Sequence, residues 1–185
     1  MTSTNLDGET GLINSGDAAD ITSTSTSADL TTDAGLTGLI NSGYTTDSSS
    51  THFLPRHANM QQVHAAFMQD RFATSIGCRI DDACYGRAVC SLQLEPRHQN
   101  GMGKIMGGAI FTLADYALAV CSNLGENPTI SISNTIDYLA SPKGTSLIAT
   151  CSVVKSGQSV GFYTVDIVDN LGTNVAKMNA KCFRR

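Results

Sequence analysis

The stretch HQNGMGKIMGGAIFTLAD, residues 98–115, decides the reading. Its first half is glycine-rich and polar and reads as a loop. Its second half opens a run that is apolar nearly all round: Ile110, Phe111, Leu113, Ala114, Ala117, Leu118, Val120 and Cys121. A helix of that composition is buried, and the spacing predicts one over roughly 107–122. Asp115 breaks the pattern as the only charged residue from Ile105 to Gly125. Burying a lone charge is costly, so Asp115 is the first candidate for chemistry. Aspartate is a poor residue for a helix interior. A bond to a neighbouring backbone group is the structural alternative.

Around this helix the chain reads mostly as strands. GRAVCSLQLE alternates, with Ala88, Cys90, Leu92 and Leu94 on one side. Four further alternating stretches follow the helix: TISISNTIDYLA, TSLIATCSVVKS, SVGFYTVDIVD and TNVAKMNAKCF. Turn signals separate them at Pro142-Lys143-Gly144, Ser156-Gly157-Gln158 and Asn170-Leu171-Gly172. Short connections favour antiparallel neighbours. Ahead of them, MQQVHAAFMQDRF predicts a helix with Met60, Val63, Phe67 and Met68 on one face. The sum is an α+β arrangement, one long buried helix wrapped by an antiparallel sheet.

Composition divides the 185 residues unevenly. Residues 1–50 hold seven acids and no lysine or arginine, whereas the remainder sets twelve bases against nine acids. The formal −4 is therefore −7 for the front segment and +3 for the rest. Residues 1–58 are rich in Ser, Thr, Gly and Asp and lack the apolar content for a core, so a disordered acidic tail is expected there. GETGLINSG at 8–16 returns as GLTGLINSG at 35–43, but two copies make no solenoid. The folded domain is expected at 59–185. The six cysteines show no metal-ligand spacing and sit mostly at apolar positions, as reduced thiols of a cytoplasmic protein would. No metal site is expected. No apolar run is long enough for a bilayer, no secretory signal pattern opens the chain, and few bases with no tryptophan argue against nucleic acid.

Three pieces of sequence resemble the hotdog-fold thioesterases, in particular the phenylacetate-pathway, PaaI-type acyl-CoA thioesterases. HQNGMGKIMGGAIFTLAD is similar to that family's H-x-N, G-x-x-H-G-G and L-A-D. IDYLASPKGTSLIA is like its I-x-Y-L-x-P-x-x-G-x-x-L-x-A, and VVKSGQSVGFYTVDIVDNLGTNVAK is like its glycine-centred hairpin and closing strands. Together they span about 65–183. The resemblance implies a hotdog fold and hydrolysis of an acyl-CoA thioester, with CoA part of the substrate and no separate cofactor. It departs at Met106, where the family's pattern often has histidine.

Thioester hydrolysis needs a base or nucleophile and donors for the developing oxyanion. The resemblance assigns the oxyanion donor to the backbone N–H of Gly107, with Asn100 donating nearby, Asp115 as base or nucleophile and Ser131 beside the reacting water. Gly107 and Gly108 open the helix, where the first N–H groups are unpaired and the dipole is positive. Met106, Gly108, His98, Lys155 and Gly157 complete the expected substrate-binding set. For Asn100, Ser131 and the glycine pair, ordinary turn, strand and packing roles are the alternatives. His98 reads as a residue that orients the loop rather than a catalytic one, and Lys155, like Lys143, is either a partner for CoA phosphates or a solvated turn lysine.

Gly107 and Asp115 stand eight residues apart, about 12 Å along one helix. They cannot serve one carbonyl within one chain. They can if two chains pack with the helix start of one facing the middle of the other, as the family's dimer does. A homodimer, or a tetramer as a dimer of dimers, is therefore expected. Two other functions carry the same fold: a hydratase or dehydratase, disfavoured because the helix start offers no histidine, and a non-catalytic acyl-CoA-binding or regulatory protein, favoured by Met106.

Overall fold

The computed structural model describes residues 54–125 and 127–184. The expected tail, apart from its last few residues, lies outside them. The described chain carries the expected hotdog architecture. Two short helices, α1 (Met60–Phe67) and α2 (Arg71–Ser75), precede the hairpin of β1 (Cys78–Cys84) and β2 (Arg87–Gln93). A single 3₁₀ turn at Pro96–His98 leads through the glycine-rich loop to α3 (Gly107–Ser122). Then come β3 (Thr129–Tyr138), β4 (Ser146–Ser156), β5 (Val160–Asp169) and β6 (Asn174–Arg184). The strands form one antiparallel sheet in the order β1-β2-β4-β5-β6-β3.

Helix α3 touches all six strands. The sheet residues beneath it mix small side chains with larger aliphatic ones. Ala88, Cys151, Val165, Met178 and Ile136 lie side by side across five strands, with Cys90, Ala149, Ile167 and Ala176 in the next row. Ala114, Ala117 and Cys121 of the helix are at most 2 % exposed. Small groups on both surfaces let helix and sheet approach closely. Five of the six free cysteines are buried, Cys84 being the exposed one.

Four expectations are corrected. The helix expected from Met60 through Met68 stops at Phe67, because Asp70 accepts a bond from the Ala73 N–H at 3.1 Å and starts a new one; Met68 is 73 % exposed. Strand β1 adds to the expected strands; a register shift between Ile80 and Asp82 breaks the alternation that would have announced it. The turn at Pro142-Lys143-Gly144 joins no hairpin: β3 pairs with β6, and the chain crosses from that edge to β4 in the sheet interior. The expected boundary at 58/59 falls inside packed structure. Leu54 is 8 % exposed, bridges Leu124 and accepts from the Gly125 N–H at 2.9 Å, while the Arg56 guanidinium lies 4.4 Å over the Tyr85 ring.

The crossover is fastened by Asp169, which is 1 % exposed. Its carboxylate accepts from four backbone N–H groups: Lys143 at 2.7 Å, Gly144 at 2.9 Å, Leu171 at 3.0 Å and Thr173 at 2.8 Å. Burial alone would push this carboxyl upward, but the backbone donors hold it well below the usual carboxylate range. Next door, Asn170 Oδ1 accepts from the N–H groups of Thr145 and Ser146.

Among the described residues, no helix is long and apolar enough to cross a membrane, and no cluster of His, Cys, Asp and Glu has the arrangement of a metal site.

These contacts can be tested through stability. Removing residues 1–53 should leave Tm little changed. Removing 1–58 should lower it by several degrees, since burying a leucine is worth about 1.5–3 kcal/mol; equal melting of the two truncations would contradict the role of Leu54. Asp169→Asn should melt lower than the parent at neutral pH. Because the folded-state carboxyl is held low, its stabilisation is present above the unfolded value of about 3.9 and fades as pH falls through the folded value. The gap between parent and variant, followed by thermal melts from pH 7 downward, should therefore narrow in acid.

Candidate active site

Asp115 lies midway along α3 and is half-buried. Its Oδ1 accepts a hydrogen bond from Asn134 Nδ2 on β3, at 3.1 Å. Asn134 Oδ1 in turn accepts from Ser131 Oγ at 2.8 Å. Burial pushes the Asp115 carboxyl up from its ordinary value; the Asn134 bond pulls it back, and the negative charge of Asp70 adds to the rise. The structural alternative, a bond from Asp115 to nearby backbone, is not what forms: its partner is a side chain on another element.

A bulge brings Ser131 and Asn134 together. The pairing of β3 with β6 shifts register between Ser131 and Ser133, so that Ser131 stands opposite Cys182 and Asn134 opposite Ala180. Both partners are buried, on the face that α3 covers. By simple alternation two residues three apart would point to opposite faces. Nothing in the residue types announces the bulge, so Asn134 is a partner of Asp115 that sequence reasoning does not supply.

The start of α3 carries a second group of candidates. Met106 occupies the position before the helix in extended conformation, its N–H donating to the His98 carbonyl at 2.8 Å, and its side chain is 56 % exposed. Gly107 and Gly108 follow as the first residues of the helix, where N–H groups lack partners within it. Tyr138 Oη donates to the Gly107 carbonyl at 3.0 Å, and a Cβ on Gly107 would lie 3.1 Å from the tyrosine ring. A side chain on Gly107 would press on the tyrosine ring, and glycine is what a ligand approaching the backbone needs.

Asn100 holds the loop together, its Oδ1 accepting from the N–H groups of Met102 at 2.9 Å and Lys104 at 3.1 Å. That leaves its amide nitrogen as the group able to donate to a ligand. His98 is 3 % exposed and committed at both ring nitrogens, to the Glu95 N–H at 3.0 Å and the Ile76 carbonyl at 2.8 Å. These bonds brace the loop, which is the orienting role weighed for His98 from the sequence.

Lys155 is exposed, and Gly157 closes the β4–β5 hairpin. The Gly157 N–H donates to the Val160 carbonyl at 3.0 Å, and a Cβ there would come within 2.6 Å of that same oxygen. Arg184 Nη1 donates to the Gly157 carbonyl at 3.0 Å, and Nη2 bonds Ser156 Oγ. Gly157 is therefore needed by the turn itself.

Two groups result, and one chain does not unite them. Ser131 lies in the sheet row of Gly161 and Cys182, beside the hairpin that carries Lys155 and Gly157. Tyr138, against Gly107, stands at the other end of β3, about 20 Å away at ~3.3 Å per residue. Asp115 belongs with the Ser131 end through Asn134.

Residues 102–176 match the family model described as Thioesterase superfamily. Acyl-coenzyme A thioesterase PaaI of Escherichia coli (strain K12) is 31% identical over 129 residues, covering 69% of this chain and 92% of that protein. Acyl-coenzyme A thioesterase 13 of Homo sapiens is 30% identical over 91 residues, 47% of this chain and 64% of that protein. Among solved structures, Escherichia coli PaaI superposes with a TM-score of 0.64 at 30% identity, covering 68% of this chain and 91% of its own. A mutant of the phenylacetic acid degradation protein PaaI from Thermus thermophilus gives 0.59 at 26%, covering 63% and 100%. The matched segment contains the helix start, Asp115 and the β3 relay alike, and the chain belongs to the thioesterase superfamily.

Proposed function

We propose that the protein hydrolyses the thioester of an acyl-CoA to the free acid and CoA, with Asp115 as base. The observation that carries this reading is the half-buried Asp115 carboxylate, pushed upward by burial, with one oxygen held by Asn134 and the other left for a reacting water. A base poised in that way is suited to proton transfer near neutral pH. The similarity to acyl-coenzyme A thioesterase PaaI supports the substrate class.

In the reaction, the water oxygen bonds the thioester carbonyl carbon while a water proton passes to Asp115. The carbonyl π electrons move to oxygen, where the Gly107 N–H and the Asn100 amide stabilise the charge. The tetrahedral intermediate then collapses, the C–S bond breaks, and the proton on Asp115 goes to the departing CoA sulfur. Asp115 ends as it began, so no cofactor is required.

The site takes Asp115 and Ser131 from one chain and Gly107 and Asn100 from its partner. Supporting a homodimer, β3 is an edge strand with β6 as its one neighbour, and it exposes Ile130, Ile132 and Tyr138 by about half. An unprotected apolar edge is a surface for pairing with another chain. A tetramer would be two such dimers. Lys155 stands at the rim, where a CoA phosphate would find its charge. A cytoplasmic setting fits the free, buried cysteines.

A second reading, acyl-CoA binding without turnover, is favoured by Met106, which cannot hydrogen-bond a carbonyl. Release of CoA thiol from an acyl-CoA panel separates the two. Turnover is expected, and Asp115→Asn should lower kcat by ~10²–10⁴-fold. Its stability should move the other way. A carboxyl raised in the folded state destabilises the fold once ionised, so the variant should melt at or above the parent at pH 7, with the difference gone below about pH 3.9. Binding of acyl-CoA without release by the parent would favour the second reading. Full activity in Asp115→Asn would remove Asp115 from catalysis.

A further inference from the structure

We propose that Asn134 is a positioning residue, which fixes both the orientation of Asp115 and the direction in which the Ser131 hydroxyl points. The inference rests on the reading of Asp115 as base. It follows from which groups can donate. An ionised carboxylate only accepts, so the nitrogen of the Asn134 carboxamide must face Asp115 Oδ1, 3.1 Å away. The amide oxygen then faces Ser131, and across 2.8 Å only the serine hydroxyl has a hydrogen to give. The serine proton is thereby committed, and Ser131 meets a water with its lone pairs.

That direction has a chemical consequence. A water between the two residues can give one hydrogen to the free oxygen of Asp115 and the other to Ser131 Oγ, which leaves its own lone pair for the thioester carbon. Were Ser131 free to turn, its hydroxyl could donate to the water oxygen and tie up that lone pair. The carboxamide thus selects one of two polarities. The β-bulge that puts Ser131 and Asn134 on one face is what makes the relay sterically available. Asn134 is itself half-buried and paired with buried Ala180, so it is held in place by the sheet.

The test is the pH dependence of kcat/KM for Asn134→Ala and Asn134→Asp in the full chain, measured by CoA release from an acyl-CoA. The other titratable groups facing Asp115 are Asp70 at the start of α2 and the Cys182 thiol on β6. Burial pushes that thiol upward and keeps it neutral, and both groups are unchanged in the variants. Asn134→Ala removes a donor that favours the ionised carboxylate. Its kcat should fall about tenfold to a hundredfold, as for loss of a hydrogen bond to a charged group, with KM little altered and the acid limb moved to higher pH. Asn134→Asp nearly preserves the shape but puts a second carboxylate against the first, so its acid limb should move further in the same direction.

An acid limb and kcat unchanged in both variants would overturn the proposal. Should Asn134→Ala fail to fold, the near-isosteric Asn134→Asp decides alone. Asp115→Asn, run in parallel, separates the two levels of the argument. If it keeps full activity, the base assignment itself fails. If it is inactive while both Asn134 variants match the parent, the positioning role alone is wrong.

Discussion

The close packing of α3 against one face of the sheet is the constraint on which the rest depends. Small buried residues on the helix (Ala114, Ala117, Cys121) and on the sheet (Ala88, Cys90, Ala149, Cys151) sit among larger ones such as Leu113, Ile167 and Met178, and the 16-residue helix touches every strand. Packing of that density leaves little room for a polar group, and the one carboxylate on the helix sits where the sheet ends, beside the edge strand β3. There Asn134 can reach it. A position on the far side of the helix, among Leu113, Ala117 and Val120, would be wholly buried and without a partner. The location of Asp115 is thus set by the same geometry that sets the core: buried enough to raise its pKa, peripheral enough to be bonded by Asn134.

The same helix fixes a separation. Its start, with Gly107 under Tyr138, and its middle, with Asp115, are held about 12 Å apart by a rigid rise of ~1.5 Å per residue. No side-chain rotamer removes that distance. β3 repeats the division along its own length, with Ser131 and Asn134 towards one end and Tyr138 at the other. Each chain therefore carries two polar groups of unlike chemistry, one with the carboxylate and hydroxyl, one with the N–H groups of a helix start. The exposed edge of β3 lies between them.

Much of this is legible in the sequence, for identifiable reasons. Helix α3 and strands β2, β4, β5 and β6 bury one side or all round, so their periodicity is strong and their limits are marked by turns. What escapes depends on irregularity. A bulge at Ile80/Asp82 hides β1, and Asp70 reads as a helix residue until its capping bond to Ala73 is visible. The strand order is not legible at 142–144, because a short loop held by Asp169 joins strands that are not neighbours. Asp115, Gly107 and Ser131 are recognisable from residue type and family resemblance. Asn134 is not, because alternation assigns it to the opposite face from Ser131. His98 could by type bind a ligand or orient the loop, and its two ring hydrogen bonds fit the second role.

The central claim is that one site draws on two chains, and mixing two inactive variants tests it most directly. Asp115→Asn damages the carboxylate half-site, and Asn100→Ala damages the helix-start half-site. In a mixed dimer one site then carries both lesions and the other carries neither. The account predicts that co-refolded mixtures regain a substantial part of the parent's CoA release, in proportion to the mixed dimers formed. Mixed dimers that demonstrably form and remain inactive would contradict it.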